Sequence, residues 1–266
     1  MSEVFKLKPG RVPLLISMPH VGTEIPADQH RRYVPRALEV EDTDWHLEQL
    51  YADIADELGA SLIVPRYSRY LIDLNRPPDD TPMYPGASNT ELCPTRFFTG
   101  DSLYLEGQTP GQREKQRRRE TYWLPYHKNL QAELSRLKAQ HGYAVLFDAH
   151  SIRSELPWLF SGRLPDLNLG TADGAACDLG ITKGLAAVLA VPTQFTHVVN
   201  GRFKGGYITR YYGQPERHQH AVQLEMCQRC YMDEWAPFNY RAELAAKVQP
   251  VLLALLQQLL AWRPAT

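Results

Sequence analysis

The sequence predicts a single-domain α/β protein spanning residues 1–266, with a mixed, mostly parallel sheet and helices on both faces. Two observations carry that expectation. Short continuous apolar runs, such as residues 14–18 and 144–147, lack the in-and-out alternation of a half-exposed strand and read as strands buried on both sides. Between them lie segments whose apolar residues recur at the helical period, and strands alternating with helices build a parallel sheet between helical layers. No internal repeat and no linker-like stretch divides the chain.

The elements follow in order. Residues 14–18 form the first strand and end at Pro19-His20-Val21-Gly22. A helix is expected from about Asp44, because Leu47, Leu50, Tyr51, Ile54, Ala55 and Leu58 share one face; Asp42 or Thr43 can cap it and Gly59 stops it. Residues 61–65 and 70–74 read as two further strands. From 77 to 110 the chain is rich in Pro, Gly, Asp and Thr without periodicity, which predicts a long loop region over a site. Residues 112–140 read as a long helix with Tyr122, Leu130, Leu134 and Leu137 inward and Pro125 kinking or interrupting it. A strand at 144–148, a mostly helical stretch at 174–189 and a short extended piece at 196–200 come next. A glycine-containing basic loop at 201–212, a strand at 221–226 and a closing helix at 242–260 complete the chain.

Composition bounds the function classes. A formal net charge of -1 gives no bulk reason to expect nucleic acid or an anionic membrane as partner. The basic run Arg117-Arg118-Arg119 beside Lys115 reads as a solvated helix face. The first eleven residues lack the apolar core of a signal peptide, and the apolar run 251–262 is too short to span a bilayer. The four cysteines, Cys93, Cys177, Cys227 and Cys230, are expected as free thiols in a reducing cytoplasm. Cys227-Gln228-Arg229-Cys230 has metal-site spacing but no second pair.

Polar residues gather where ligands of open α/β sheets bind, outside the strand ends. His20 follows one strand, Asp148-Ala149-His150-Ser151 another, and Glu225 and Asn75-Arg76 end two more. Alone, each histidine is more simply a hydrogen-bonded structural residue. Together they supply what a catalytic zinc needs: three protein ligands and an open fourth position. His46, His127, His197, His218 and His220 compete as ligands. The His218-Gln219-His220 pair has strand-face spacing but lies in a polar stretch, so it reads as surface or lid.

Six stretches in this order make a specific pattern: Ser17-Met18-Pro19-His20-Val21-Gly22-Thr23, Asp42-Thr43-Asp44-Trp45-His46, residues 67–78, residues 148–154, residues 200–210 and Gln223-Leu224-Glu225. Over nearly the whole chain this sequence resembles the N-formylglutamate amidohydrolases of histidine degradation. These are similar to zinc carboxypeptidases and aspartoacylases, and the resemblance implies a hydrolase-like fold of the zinc-carboxypeptidase kind. It implies His20 and His150 as histidine ligands of zinc, or of another divalent metal such as manganese, iron or cobalt. The acidic ligand is expected to be Asp44 rather than Glu24, because residue 23, where a short His-x-x-Glu spacing would put the glutamate, is threonine. It implies Glu225 as general base and Arg69 as oxyanion stabiliser. Asp148 is expected to orient His150 or a neighbour. Asn75-Arg76 would grip one substrate carboxylate, and the loop with Arg202, Lys204, Thr209 and Arg210 the other. The implied reaction is hydrolysis of N-formyl-L-glutamate to formate and L-glutamate. Two other readings stand beside it: an amidohydrolase for another N-acyl acidic amino acid or small acidic peptide, and a noncatalytic small-anion-binding module.

Overall fold

The computed structural model describes residues 4–83 and 90–264. In chain order the strands are β1 (Phe5–Lys8), β2 (Leu14–Ser17), β3 (Ser61–Pro65), β4 (Ala144–Ile152), β5 (Leu167–Gly170), β6 (His197–Val199) and β7 (Gln219–Cys227). The α-helices are α1 (Ala27–His30), α2 (Leu47–Leu58), α3 (Gln112–Arg118), α4 (Leu124–His141), α5 (Leu179–Leu189), α6 (Tyr207–Tyr212) and α7 (Ala242–Ala261). The strands form one sheet in the order β1-β3-β2-β4-β7-β5-β6. Its centre, β3-β2-β4-β7, is parallel. β1 lies antiparallel to β3, and β5 antiparallel to β7 with β6 parallel to β5. The sheet is thus mixed and mostly parallel, as the apolar runs predict.

The central strands are buried throughout because both faces are covered, and their polar residues cluster toward the strand ends. Leu14, Ile16, Val145 and Phe147 point into one core with α2, α5 and α7, while Leu15, Ile63 and Leu146 point into the other with Leu130, Leu134 and Leu137 of α4. β1 (FKLK) and β5 (LNLG) escape the sequence reading because, unlike the equally short β2, they are not continuous apolar runs.

Residues 70–74 are not a strand. They are buried as irregular chain, and buried side chains take the place of a ladder. Tyr33 donates to the Tyr70 carbonyl, Arg118 to that of Leu71 and His127 to that of Leu74. The burial that drove the strand expectation is real; the backbone partners are different. Arg118 is therefore fully buried, unlike the solvated face expected of its run. α2 starts at Leu47 with no side-chain cap; Asp42 instead accepts from Phe98 N and Tyr70 OH and pairs with Arg153. Between α3 and α4 the helix widens into a π turn (Arg119–Trp123), where Leu124 N–H bonds to the Arg119 carbonyl five residues back. That turn seats Pro125 in the first turn of α4 without breaking the rod.

Three further expectations change. β4 runs on to Ile152, so His150 stands within a strand instead of after it. Half of the 201–212 loop is α6. Gln219 and His220 open β7 and are buried, so they are neither surface nor lid. The 77–110 region forms no helix or strand among the described residues, and residues 84–89 of it lie outside them. All four cysteines are buried and free.

Candidate active site

The C-terminal ends of β2, β4 and β7 converge on one pocket, lined among others by His20, Asp44, Arg69, Asn75, Arg76, His150, Arg202 and Glu225. Its volume is about 80 Å³. Strand register sets its floor: His150 on β4 pairs with Glu225 on β7, and Asp148 with Gln223 one pleat below. His20 sits on the turn after β2, and its backbone carbonyl accepts from Asp44 N at 3.1 Å, which brings two side chains 24 positions apart into one place. Gly22 permits that turn to pack: a Cβ there would lie 2.2 Å from the Tyr67 carbonyl oxygen.

His20, Asp44 and His150 are buried and offer ligand atoms within 4.8 Å of one another. Asp44 Oδ2 lies 3.2 Å from His150 Nδ1 and 3.8 Å from His20 Nδ1. Each histidine is held by its other nitrogen: His20 Nε2 is 2.7 Å from Asp73 Oδ1, and His150 Nε2 is 3.0 Å from Asp148 Oδ2. Both rings therefore turn Nδ1 inward, with a carboxylate behind to fix tautomer and orientation. Asp44 Oδ1 is buried with no hydrogen-bond partner among the described residues and the Arg69 guanidinium 3.9 Å away, a costly state that a nearer cation relieves. Two imidazole nitrogens and a carboxylate fit a divalent transition ion. Glu24, the alternative acidic ligand, is on the surface paired with Arg66 at 2.7 Å.

The electrostatics are those of crowded, dry charges. Burial raises the Glu225 carboxyl above its usual range and Asp44 adds to the rise, against the pull of His150 and Arg69. Burial would lower His150, but Asp148, Asp44 and Glu225 outweigh it and hold its pKa well above 6.5. At His20, burial and Arg69 prevail over Asp73 and Asp44, and its pKa falls. Asp73 stays well below the carboxylate range despite burial, because His20, Arg69 and Arg76 surround it. The Glu225 carboxyl takes no hydrogen bond from a described residue and faces the pocket that it lines.

Arg69 is buried, donates to Asp73 Oδ2 at 2.8 Å and stacks 4.6 Å above the Phe98 ring. Arg76 is braced by the carbonyl and hydroxyl of Thr90. Asn75 is tied on two sides: its backbone N–H donates to Asp73, and its Oδ1 accepts from Ile208 N at the start of α6. Arg202 lines the pocket and donates to the Leu159 carbonyl. Lys204, Thr209 and Arg210 are not brought into the lining. Lys204 pairs with Asp173 in solvent, Thr209 turns into the interior from α6, and Arg210 folds back onto the Gly205 carbonyl.

Asp73, Gln223 and Phe98 belong to the site and were not singled out by sequence reasoning. Asp73 carried a readable signal, since a carboxylate inside an apolar run must find partners when buried. Gln223 accepts from Gly206 N at 2.7 Å, a contact between β7 and a distant loop. Phe98 lies in the loop region, where no pattern marks it.

A parallel-centred sheet presenting His20, Asp44 and His150 near its strand ends defines an α/β protein with a side-chain group that could hold a metal ion. A family model described as N-formylglutamate amidohydrolase matches residues 12–232, and the chain belongs to that family. Among its relatives, an N-formylglutamate deformylase of Pseudomonas aeruginosa is 55% identical over 262 residues, 98% of each chain. One of Pseudomonas putida is 53% identical over 262 residues, covering 98% of this chain and 97% of the relative. Among solved structures, the N-formylglutamate amidohydrolase from Ralstonia eutropha JMP134 shares the fold with a TM-score of 0.80 at 24% identity over 96% of each chain. A gene product of Agrobacterium tumefaciens does so at 0.74 and 17% identity, over 97% of this chain and 95% of that one.

Proposed function

We propose that this chain hydrolyses N-formyl-L-glutamate to formate and L-glutamate, a closing step of histidine degradation, with zinc held by His20, Asp44 and His150. The observation that carries the chemistry is Glu225: an acid without hydrogen-bond partners among the described residues, next to His150 in strand register and in one pocket with Arg69, Arg76 and Arg202. The substrate follows the relatives at 55% and 53% identity.

A divalent ion at this triad would supply Lewis acidity and lower the pKa of a coordinated water toward ~7. Beside a cation Glu225 is favoured as carboxylate, the form able to take the proton of the attacking water and later hand it to the leaving amine. Arg69 donates to the oxygen on which charge develops, and it needs no rearrangement because Asp73 and Phe98 already hold it. Arg76 and Arg202 pair with the two carboxylates of the substrate through planar, bidentate guanidinium groups. Asn75 serves this grip by fixing the chain that carries Arg76 against α6.

Dialysis against a chelator is expected to abolish formate release, and added zinc to restore it. Full activity in metal-free protein would refute the metal reading. A panel of N-formyl, N-acetyl and N-carbamoyl amino acids tests the substrate: N-formylglutamate should give the highest kcat/KM, and preference for another acyl group would overturn that assignment alone.

A further inference from the structure

We propose that Trp123 is a positioning residue for substrate binding: its indole N–H holds the backbone of Arg76, and through it the guanidinium that grips a substrate carboxylate. The inference rests on the proposed grip of Arg76 on that carboxylate. The chain around Arg76 has few handles. Pro77 and Pro78 follow it, and neither carries an N–H, so this stretch is anchored through its carbonyls. One helical rod supplies the donors. Arg118 donates to the Leu71 carbonyl at 2.9 Å and His127 Nε2 to that of Leu74 at 2.8 Å. Trp123 Nε1 donates to the Arg76 carbonyl at 3.0 Å, and Arg119 to that of Pro78 at 3.0 Å.

Trp123 is the donor that falls on Arg76 itself. Its ring is buried, stacked on His127 with centroids 3.7 Å apart and tilted against Tyr207 at 5.7 Å. A phenylalanine would fill much the same part of the core. The indole adds one donor, which must find an acceptor when buried, and the acceptor is the Arg76 carbonyl. Trp123 does not line the pocket, so it reaches substrate only through Arg76.

The backbone position of Arg76 matters because its fork is already partly engaged. Nε and Nη2 donate to the Thr90 carbonyl and hydroxyl, and Nη1 to the Asn75 carbonyl. A guanidinium has five N–H groups, so those left for a carboxylate point in fixed directions. They meet both carboxylate oxygens only if the chain beneath them stays in place, and misplacements well under an ångström weaken such a grip. The π turn fits this reading. Such turns are rare and recur at functional sites, and this one, Arg119–Trp123, ends on the residue that holds Arg76.

Steady-state kinetics on N-formyl-L-glutamate test the inference, with calorimetric binding of L-glutamate as a reading independent of turnover. Trp123→Phe keeps an aromatic ring and loses the donor. KM and the Kd for L-glutamate are expected to rise about tenfold, the worth of one hydrogen bond, with kcat within about twofold of wild type. In an Arg76→Ala background the same substitution should add less than about twofold, because Trp123 acts through Arg76. Should Trp123→Phe fail to fold, as read by far-UV circular dichroism, site-specific replacement of Trp123 by benzothienylalanine puts sulfur where the indole has its N–H and should give the same rise. Arg76→Ala with unchanged KM and Kd would remove the grip and the inference with it. Raised values in Arg76→Ala beside unchanged values in a folded donor-less variant would overturn the inference alone. So would a full tenfold effect in the Arg76→Ala background, or a loss of kcat at unchanged KM, since both mark a role in packing.

Discussion

At the scale of single residues, the site depends on carboxylates doing different work in nearly the same place. Asp44 faces both imidazoles, Asp73 and Asp148 stand behind them, and Glu225 faces the open pocket. Replacing Glu225 by Gln keeps size and hydrogen bonding but removes the proton acceptor. Formate release is expected to fall by roughly 10²–10⁴-fold while elemental analysis finds the metal content unchanged, and normal turnover would remove Glu225 from the mechanism. Asp73→Asn acts differently, because Asp73 holds His20 and Arg69 together. Metal affinity in a competing-chelator titration should drop by roughly 10–100-fold. An unchanged affinity would mean that His20 needs no brace. Asp148 could be suspected from the sequence by its proximity to His150, whereas Asp73 was hidden inside an apolar run that read as a strand.

At the scale of elements, short irregular segments bring the proposed ligands together. The turn after β2 carries His20 and packs on the Tyr67 carbonyl through Gly22. Gly22→Ala would push a methyl group into backbone that cannot yield cheaply, so a loss of about 1–3 kcal/mol in urea unfolding is expected, together with weaker metal binding. If stability and affinity both stay put, the turn is not under this constraint. The 70–76 segment shows the same economy. It forms no ladder, and Tyr33, Arg118 and His127 reach in from other elements to satisfy its carbonyls. From the sequence, Arg118 looked like part of a solvated basic run and His127 like a stray ligand candidate. Both are explained by a backbone path that local pattern cannot reveal.

At the scale of the whole molecule, burying His127 couples stability to pH. Desolvation lowers its pKa from 6.5 to about 3. Above pH 6.5 the ring is neutral in both states and folding costs nothing on this account. Between pH 6.5 and 3 the unfolded chain binds a proton that the folded chain refuses, so this contribution to stability is lost as pH falls. Between pH 7 and pH 5 the wild type should lose about 2 kcal/mol more than His127→Gln in urea titrations. Equal losses would show that His127 accepts its proton while folded.

The sequence by itself determined the layered α/β class. Buried strands must be apolar on both faces and helices must repeat at their own period, and both signals are local. It also marked His20, His150 and Glu225, since polar residues at the ends of apolar runs stand out and the six motif stretches place them in a family. Only the tertiary structure decided that Asp44, not Glu24, meets the histidines, because a bond from Asp44 N to the His20 carbonyl joins segments that no periodicity connects. It alone turned Lys204, Thr209 and Arg210 away from the pocket, by starting α6 at Tyr207 in the middle of an expected loop. The reason is the same in each case: periodicity reports which side of an element is buried, while the position of a side chain in a site depends on contacts between residues far apart in the chain.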